Sequence, residues 1–342
     1  MIRLQFLRYV CSIFILFIVV GISTSDATDS KNVESQILKG SIDDRQYQYF
    51  VLNNKLKVLL ISDETADKAA ASMDVNVGSY HDPIDREGLA HFLEHMLFLG
   101  TKKFPEADAY QAFISDNGGS HNAYTSSHHT NYYFDVDDKK LNDALDRFSQ
   151  FFVAPLFDNV YVDRERNAVH SEYQASLRDD FRRSYDVYRN VINQAHPEAK
   201  FSVGSLVTLA DRENDNVRDD LLAFYKQYYS ASKMSLVVLG RQPLDELETM
   251  VVERFSQVSL SIHETSTDTN IAALEPLFAP DQLPMEVLSK PVNALRHMSM
   301  NFLLLSIDQY YQEKPLDFIG YLLGHDGQGS PLSILISQVL AE

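Results

Sequence analysis

A single cysteine, Cys11, stands among 342 residues. It falls within the first 27 residues, so the rest of the chain has no thiol. That excludes a disulfide framework, a cysteine-ligated zinc and a thiol nucleophile. Basic residues are scarce as well: 30 Lys and Arg face 48 Asp and Glu, for a formal net charge of −18. Such an acidic balance argues against nucleic acid or an anionic membrane surface as the main partner. Glycine (13) and proline (11) are too few for a fibrous or disordered chain, and 45% hydrophobic residues are ample for a packed core. Long apolar runs are missing with one exception. Residues 10–22 follow Arg3 and Arg8 and precede the small residues Ser25 and Ala27. The run is short for a membrane span, so residues 1–27 are expected to be a secretory leader, with an uncleaved anchor as the alternative. Export is therefore expected, to the periplasm if the source is Gram-negative and by secretion otherwise. No stable membrane insertion is expected once the leader is cleaved.

Past the leader, residues 28–45 read as a flexible lead-in. Alternating patterns predict strands over 46–52, 57–62 and 70–77, and again over 120–125 and 130–136, the last rich in Tyr132, Tyr133 and Phe134. Helical spacing predicts helices over 88–100, from Pro105 through 113, over 138–152, and from Val162 to the region of Asp179. A helix over 217–229, a strand over 234–239 and a helix over 243–258 follow. This order implies an α+β fold, a mixed, largely antiparallel sheet packed by helices. Residues 46–258 are expected to form the main domain. Ser, Thr, Asp and Asn dominate 259–274, the expected linker. Beyond it, a strand over 295–305 and helices over 315–323 and 331–341 read as the start of a second domain, 275–342, still incomplete at Glu342.

The chemistry concentrates in the helix over 88–100. His91 and His95 are four residues apart, so both imidazoles leave one face, one turn apart, and Glu94 lies beside them. Two neutral imidazoles so placed can share one metal ion, and the carboxylate sits where it could take a proton from a water on that metal. This is an H-x-x-E-H arrangement. A catalytic zinc needs a third protein ligand. His121, His128, His129 and His170 are candidates, as are Glu165 and Glu172, which fall seven apart on one face of the next long helix. Spacing alone leaves Glu172, Glu165 and a nearby His open.

The run 88–134 and the segment 163–172 resemble the insulinase/pitrilysin family of zinc metallopeptidases, in its long-chain branch. The family pattern is H-x-x-E-H followed after about 76 residues by a glutamate ligand, and 76 residues intervene between His95 and Glu172. The blocks 99–105, 130–136, 144–148 and 324–327 are similar too. The resemblance implies an insulinase/pitrilysin-like sandwich domain followed by a second of the same type. It implies one Zn2+ held by His91, His95 and Glu172, Glu94 as the general base for a zinc-activated water, and Glu165 supporting a ligand from behind. Asn122, Ala123 and Tyr124 resemble the edge strand on which family substrates align by backbone pairing. The implied function is a zinc metalloendopeptidase acting on peptides or small unfolded polypeptides.

The family's long-chain members have two homologous halves, and the second supplies basic and tyrosine side chains that grip the substrate. The chain read here is expected to be an N-terminal fragment, weak or inactive alone, which would need a missing C-terminal half or a partner subunit. The alternative is a non-catalytic metal- or peptide-binding module.

Overall fold

The computed structural model describes residues 37–260, 274–279, 281–294, 296–304 and 307–338. The expected leader, half of the lead-in and most of the linker lie outside the described residues. Among the described residues no helix is long and apolar enough to cross a membrane. The chain divides into two compact units, Met1–Val292 and Asn293–Glu342.

The first unit is organised by a six-stranded sheet. Its strands are β1 (Gln46–Val51), β2 (Lys57–Ser62), β3 (Ala69–Val75), β4 (Ser120–Thr125), β5 (Thr130–Val136) and β6 (Met234–Gly240), in the order β1-β2-β6-β3-β5-β4. Every neighbouring pair is antiparallel except β2 and β6, which run parallel with Lys57 opposite Ser235. The mixed, largely antiparallel sheet expected from the sequence is therefore present. Alternation sets its faces. In β3 the side chains of Ala69, Ala71, Met73 and Val75 are buried while Ala70, Ser72 and Asp74 between them are not. In β5 the buried set is Thr130, Tyr132, Phe134 and Val136. β4 ends the sheet and has no fully buried residue, as suits an edge strand.

The first unit has seven helices of eight or more residues among the described residues: α1 (Leu89–Leu97), α2 (Ala109–Asp116), α3 (Leu141–Val153), α4 (Asn159–Ser176), α5 (Asp180–Val191), α6 (Val217–Tyr228) and α7 (Leu244–Phe255). α1 packs on β4 and α4, and α3 packs on α7. The core runs through Phe92 and through Tyr132, Phe134, Phe148, Phe151 and Phe152, whose rings meet edge to face or at a tilt. Full burial of each such side chain stabilises the fold by roughly 1.5–3 kcal/mol.

Several helix boundaries differ from expectation, and three of the differences have a visible cause. α2 begins at Ala109, not Pro105, because residues 105–108 form a turn in which the Ala109 N–H reaches the Glu106 carbonyl at 3.2 Å. The long helix starts earlier, at Asn159, where the Asp158 side chain accepts the Val160 N–H, and it stops at Ser176. A separate helix, α5, then opens on Asp179, whose side chain accepts the Arg182 N–H at 2.8 Å. The sequence reading missed α5 altogether.

In the second unit, α8 (Pro315–Gly324) and α9 (Pro331–Ser337) have no buried residues. The strand expected over 295–305 does not form among the described residues there: 296–304 carry no strand, and Met298, Met300 and Phe302 are exposed. A strand needs a partner for its backbone groups, and none of the described strands supplies one.

Candidate metal centre

α1 forms because its apolar residues recur on one face. Leu89, Phe92, Leu93, Met96 and Leu97 are all fully buried. Its N-terminus is fixed by residues outside the helix, one just upstream and others distant in sequence. The buried Asp82 carboxylate accepts the Gly88 and Ala90 N–H groups, each at 2.8 Å, which satisfies two donors that a helix leaves unpaired. Burial pushes this carboxyl up to about 7, against the pull of those two N–H groups and of Lys200. Gly88 has φ +88°, and a Cβ there would stand 2.2 Å from the Cα of Gly204. Only glycine permits both that conformation and that approach. The contact brings the 202–204 loop against the start of α1. Arg86, fully buried, locks the same corner through Asp220 at 2.5 Å and Asp215 at 3.2 Å.

The metal-binding side chains follow from this frame. The His91 Nδ1–H donates to the Val203 carbonyl at 2.6 Å, and His95 Nδ1 faces Glu165 Oε2 at 3.3 Å. Both contacts engage Nδ1 and so leave Nε2 free on each ring. The two Nε2 atoms then face the two oxygens of one carboxylate: His91 Nε2 lies 3.5 Å from Glu172 Oε2, and His95 Nε2 lies 3.5 Å from Glu172 Oε1. One ligand atom from each of the three residues falls within 4.8 Å of the others. A separation of 3.5 Å is long for a good hydrogen bond. Two donors each about 2.1 Å from a tetrahedral ion would stand roughly 3.4 Å apart. Two imidazoles and a carboxylate with this spacing therefore fit a zinc ion.

Glu94 is buried, and its Oε2 accepts the Thr125 hydroxyl at 2.5 Å. Burial raises its pKa, while the Thr125 hydrogen bond and the nearby His95 charge pull the other way. His91 is held below its ordinary value by burial and by repulsion from His95. For His95 burial also works downward, but Glu165 and Glu172 outweigh it and bring the imidazole up to about 9. Glu165 is lowered: burial raises it, yet His95 and Arg164, the latter at 2.9 Å, prevail. Glu172 is lowered chiefly by the His95 imidazole that faces it. In the metal-free protein His95 thus carries a proton that an arriving cation would displace.

These residues line one cleft of about 560 Å³, whose walls also include Asn122, Ala123 and Tyr124 of β4. Asn122 and Tyr124 are exposed, and the Asn122 side chain accepts the Ala123 N–H at 2.9 Å. The structure brings His91, Glu94, His95, Glu165 and Glu172 together. It keeps the other candidate histidines out of the ligand set. His128 packs on the Tyr80 ring, His129 pairs with Asp74 at 2.9 Å, and His170 Nδ1 faces the Leu206 N–H. His121 lines the cleft but packs on Phe98 and Tyr110. Sequence reasoning missed Asp82, Thr125, Val203 and the glycine contact. Thr125, Val203 and Gly204 act through non-local contacts, and Asp82 reaches the helix from the preceding loop; the local signal was Gly88 at the head of the helix.

Residues 57–194 match the insulinase model of peptidase family M16, and residues 216–341 match the peptidase M16 inactive domain. The chain is 42% identical over 308 residues to the A-factor-processing enzyme of Saccharomyces cerevisiae, covering 89% of this chain and 30% of that protein. It is also 42% identical over 311 residues to the insulin-degrading enzyme of Homo sapiens, covering 90% of this chain and 30% of that protein. The crystal structure of pitrilysin superposes with a TM-score of 0.73 at 32% identity, covering 88% of this chain and 32% of that one. The chain thus spans about 30% of the length of the curated relatives it matches. Its sheet, its H-x-x-E-H helix and these likenesses agree: the chain belongs to the insulinase family, peptidase family M16.

Proposed function

We propose that this cleft holds one zinc ion on His91, His95 and Glu172 and hydrolyses peptide bonds in peptides or small unfolded polypeptides. The observation that carries the reading is the convergence of both Nε2 atoms on the Glu172 carboxylate, with Glu94 beside them in the same cleft. Zinc would supply Lewis-acid polarisation of a carbonyl and of water. Glu94 would take the proton of the attacking water and pass it to the leaving amine. Its Oε2 is engaged by Thr125, which leaves Oε1 for that proton. Burial, by raising its pKa, makes it the better base. Glu165 orients His95 and does not touch substrate. An extended peptide would lie along β4, whose outer edge has no partner among the described strands, and would pair with the backbone at Asn122, Ala123 and Tyr124.

We also read 46–258 as the zinc-binding domain, 259–274 as a linker and 275–342 as part of a second domain of the same type. Export rests on the leader-like residues 1–27 alone. No nucleic acid is expected among the partners, in keeping with the net charge of −18.

Metal analysis of the purified chain, paired with hydrolysis of a quenched fluorogenic peptide, tests the central reading. Glu94→Gln should keep zinc and lose hydrolysis by about 10²–10⁴-fold. Glu172→Gln should lose the zinc. Full hydrolysis by Glu94→Gln would remove the base from the mechanism, and stoichiometric zinc in Glu172→Gln would remove the ligand.

A further inference from the structure

The cleft holds a cation that the zinc and base chemistry does not use. Arg182, in the first turn of α5, lines the cleft together with His91 and Glu172 and is exposed. Its charge reaches His91, whose proton affinity it helps to lower. The carboxylates around it are engaged elsewhere. Asp179 accepts the Arg182 backbone N–H at 2.8 Å. Asp180 accepts the Val292 N–H at 2.7 Å and lies 4.0 Å from Arg183. Glu165 faces His95 and Arg164, and Glu172 faces the two histidines. Among the described residues, none places a carboxylate within ion-pair distance of the Arg182 guanidinium. Arg86, Arg164, Arg166, Arg189 and Arg212, by comparison, each lie within 4.0 Å of a carboxylate, although Arg147, Arg178, Arg218 and Arg241 do not among the described residues. Of the two arginines that line the cleft, Arg164 pairs with Glu165, and Arg182 is left without a carboxylate among the described residues.

A guanidinium offers a planar fork of donors that matches a carboxylate. We propose that Arg182 is a specificity-determining residue that pairs with a carboxylate of the bound peptide, either an Asp or Glu side chain or the C-terminal carboxylate. This rests on the peptide-cleaving reading of the cleft. The ligand class follows from the charge. With a divalent ion held, the cleft carboxylates Glu94, Glu165 and Glu172 and the cations Arg164 and Arg182 leave one positive charge in excess, and a single carboxylate neutralises it.

The test uses the full chain, zinc-loaded, with Glu94→Gln to halt turnover. Three fluorescent peptides of equal length are compared by anisotropy. One is neutral and amidated, a second set is amidated with Glu scanned through its positions, and the third is neutral with a free C-terminus. At least one carboxylate-bearing peptide should bind about tenfold more tightly than the neutral amide, and whichever does so identifies the source. Arg182→Gln should erase that difference while zinc content and binding of the neutral amide stay unchanged. Arg182→Lys should restore part of it. Discrimination that survives Arg182→Gln, or its absence in the parent chain, would overturn the inference alone. Failure of all three peptides to bind a zinc-loaded chain would overturn the peptide reading along with it.

Discussion

α1 and α4 supply the proposed zinc ligands in opposite ways. Seven of the nine residues of α1 are buried, and Asp82, Gly88 and Gly204 fix its first turn. α4 is twice as long but buries only Val162 and Val169. The ligands differ accordingly: the His91 and His95 side chains are 18% exposed, whereas Glu172 is 54% exposed. One wall of the site is therefore set before any ion arrives, and the other is free to adjust to it. For a metal whose histidine geometry must be held and whose carboxylate can swing, this division is economical.

The largest expected break in this contrast comes at the rigid wall. Gly88→Ala forces an alanine to positive φ and drives its Cβ into Gly204, so it should cost about 3 kcal/mol or more in urea unfolding. Next is Asp82→Ala, which strands two N–H donors at the head of α1 and should cost about 2 kcal/mol by the same measurement. Both should weaken zinc binding, although neither residue approaches the ligand atoms. A smaller effect is expected behind His95. Glu165→Gln should lower zinc affinity about tenfold in a chelator competition. The same titration carries a pH signature. Because His95 stays protonated up to about 9, zinc must displace a proton below that pH, and affinity should fall by up to about tenfold per unit as pH drops. His91, with its lowered pKa, adds nothing to this slope near neutrality. With Glu165 gone the slope should begin at lower pH, and an unchanged midpoint would show that Glu165 does not hold the proton. The smallest effect belongs to α4. Ser171, whose hydroxyl only returns to the Asn167 carbonyl, should tolerate alanine within about 0.5 kcal/mol.

The parts of the site that were legible in the sequence are those carried by local period. His91, Glu94 and His95 share a helix face, and Glu165 and Glu172 are two turns apart on another, so their alignment follows from 3.6 residues per turn. The strands over 57–62, 120–125 and 130–136 were legible for the same reason, through alternation. What was not legible depends on the fold closing. Thr125 meets Glu94 only because β4 packs on α1, and Val203 meets His91 only because two glycines touch. α5 escaped notice because its apolar residues, Phe181, Tyr185, Val187, Tyr188 and Val191, are interleaved with charges and include only two aliphatic side chains. The opposite error arose over 295–305, where alternating apolar residues promised a strand. Period alone cannot supply a neighbour for the backbone.

The position of β6 bears on how the molecule acquires its shape. It inserts between β2 and β3, pairing in parallel with a strand from the start of the unit. Every residue of the proposed site lies in the chain between β2 and β6. A ribosome must therefore release the whole H-x-x-E-H helix, both glutamates and the 202–204 loop before the central strand can dock. Until then β2 and β3 each lack that neighbour, and two apolar strand edges wait open. Long-range parallel pairing of this kind is a slow step in folding. It makes the interval before β6 arrives the period of greatest exposure to aggregation, and chaperones that bind extended apolar segments would act then.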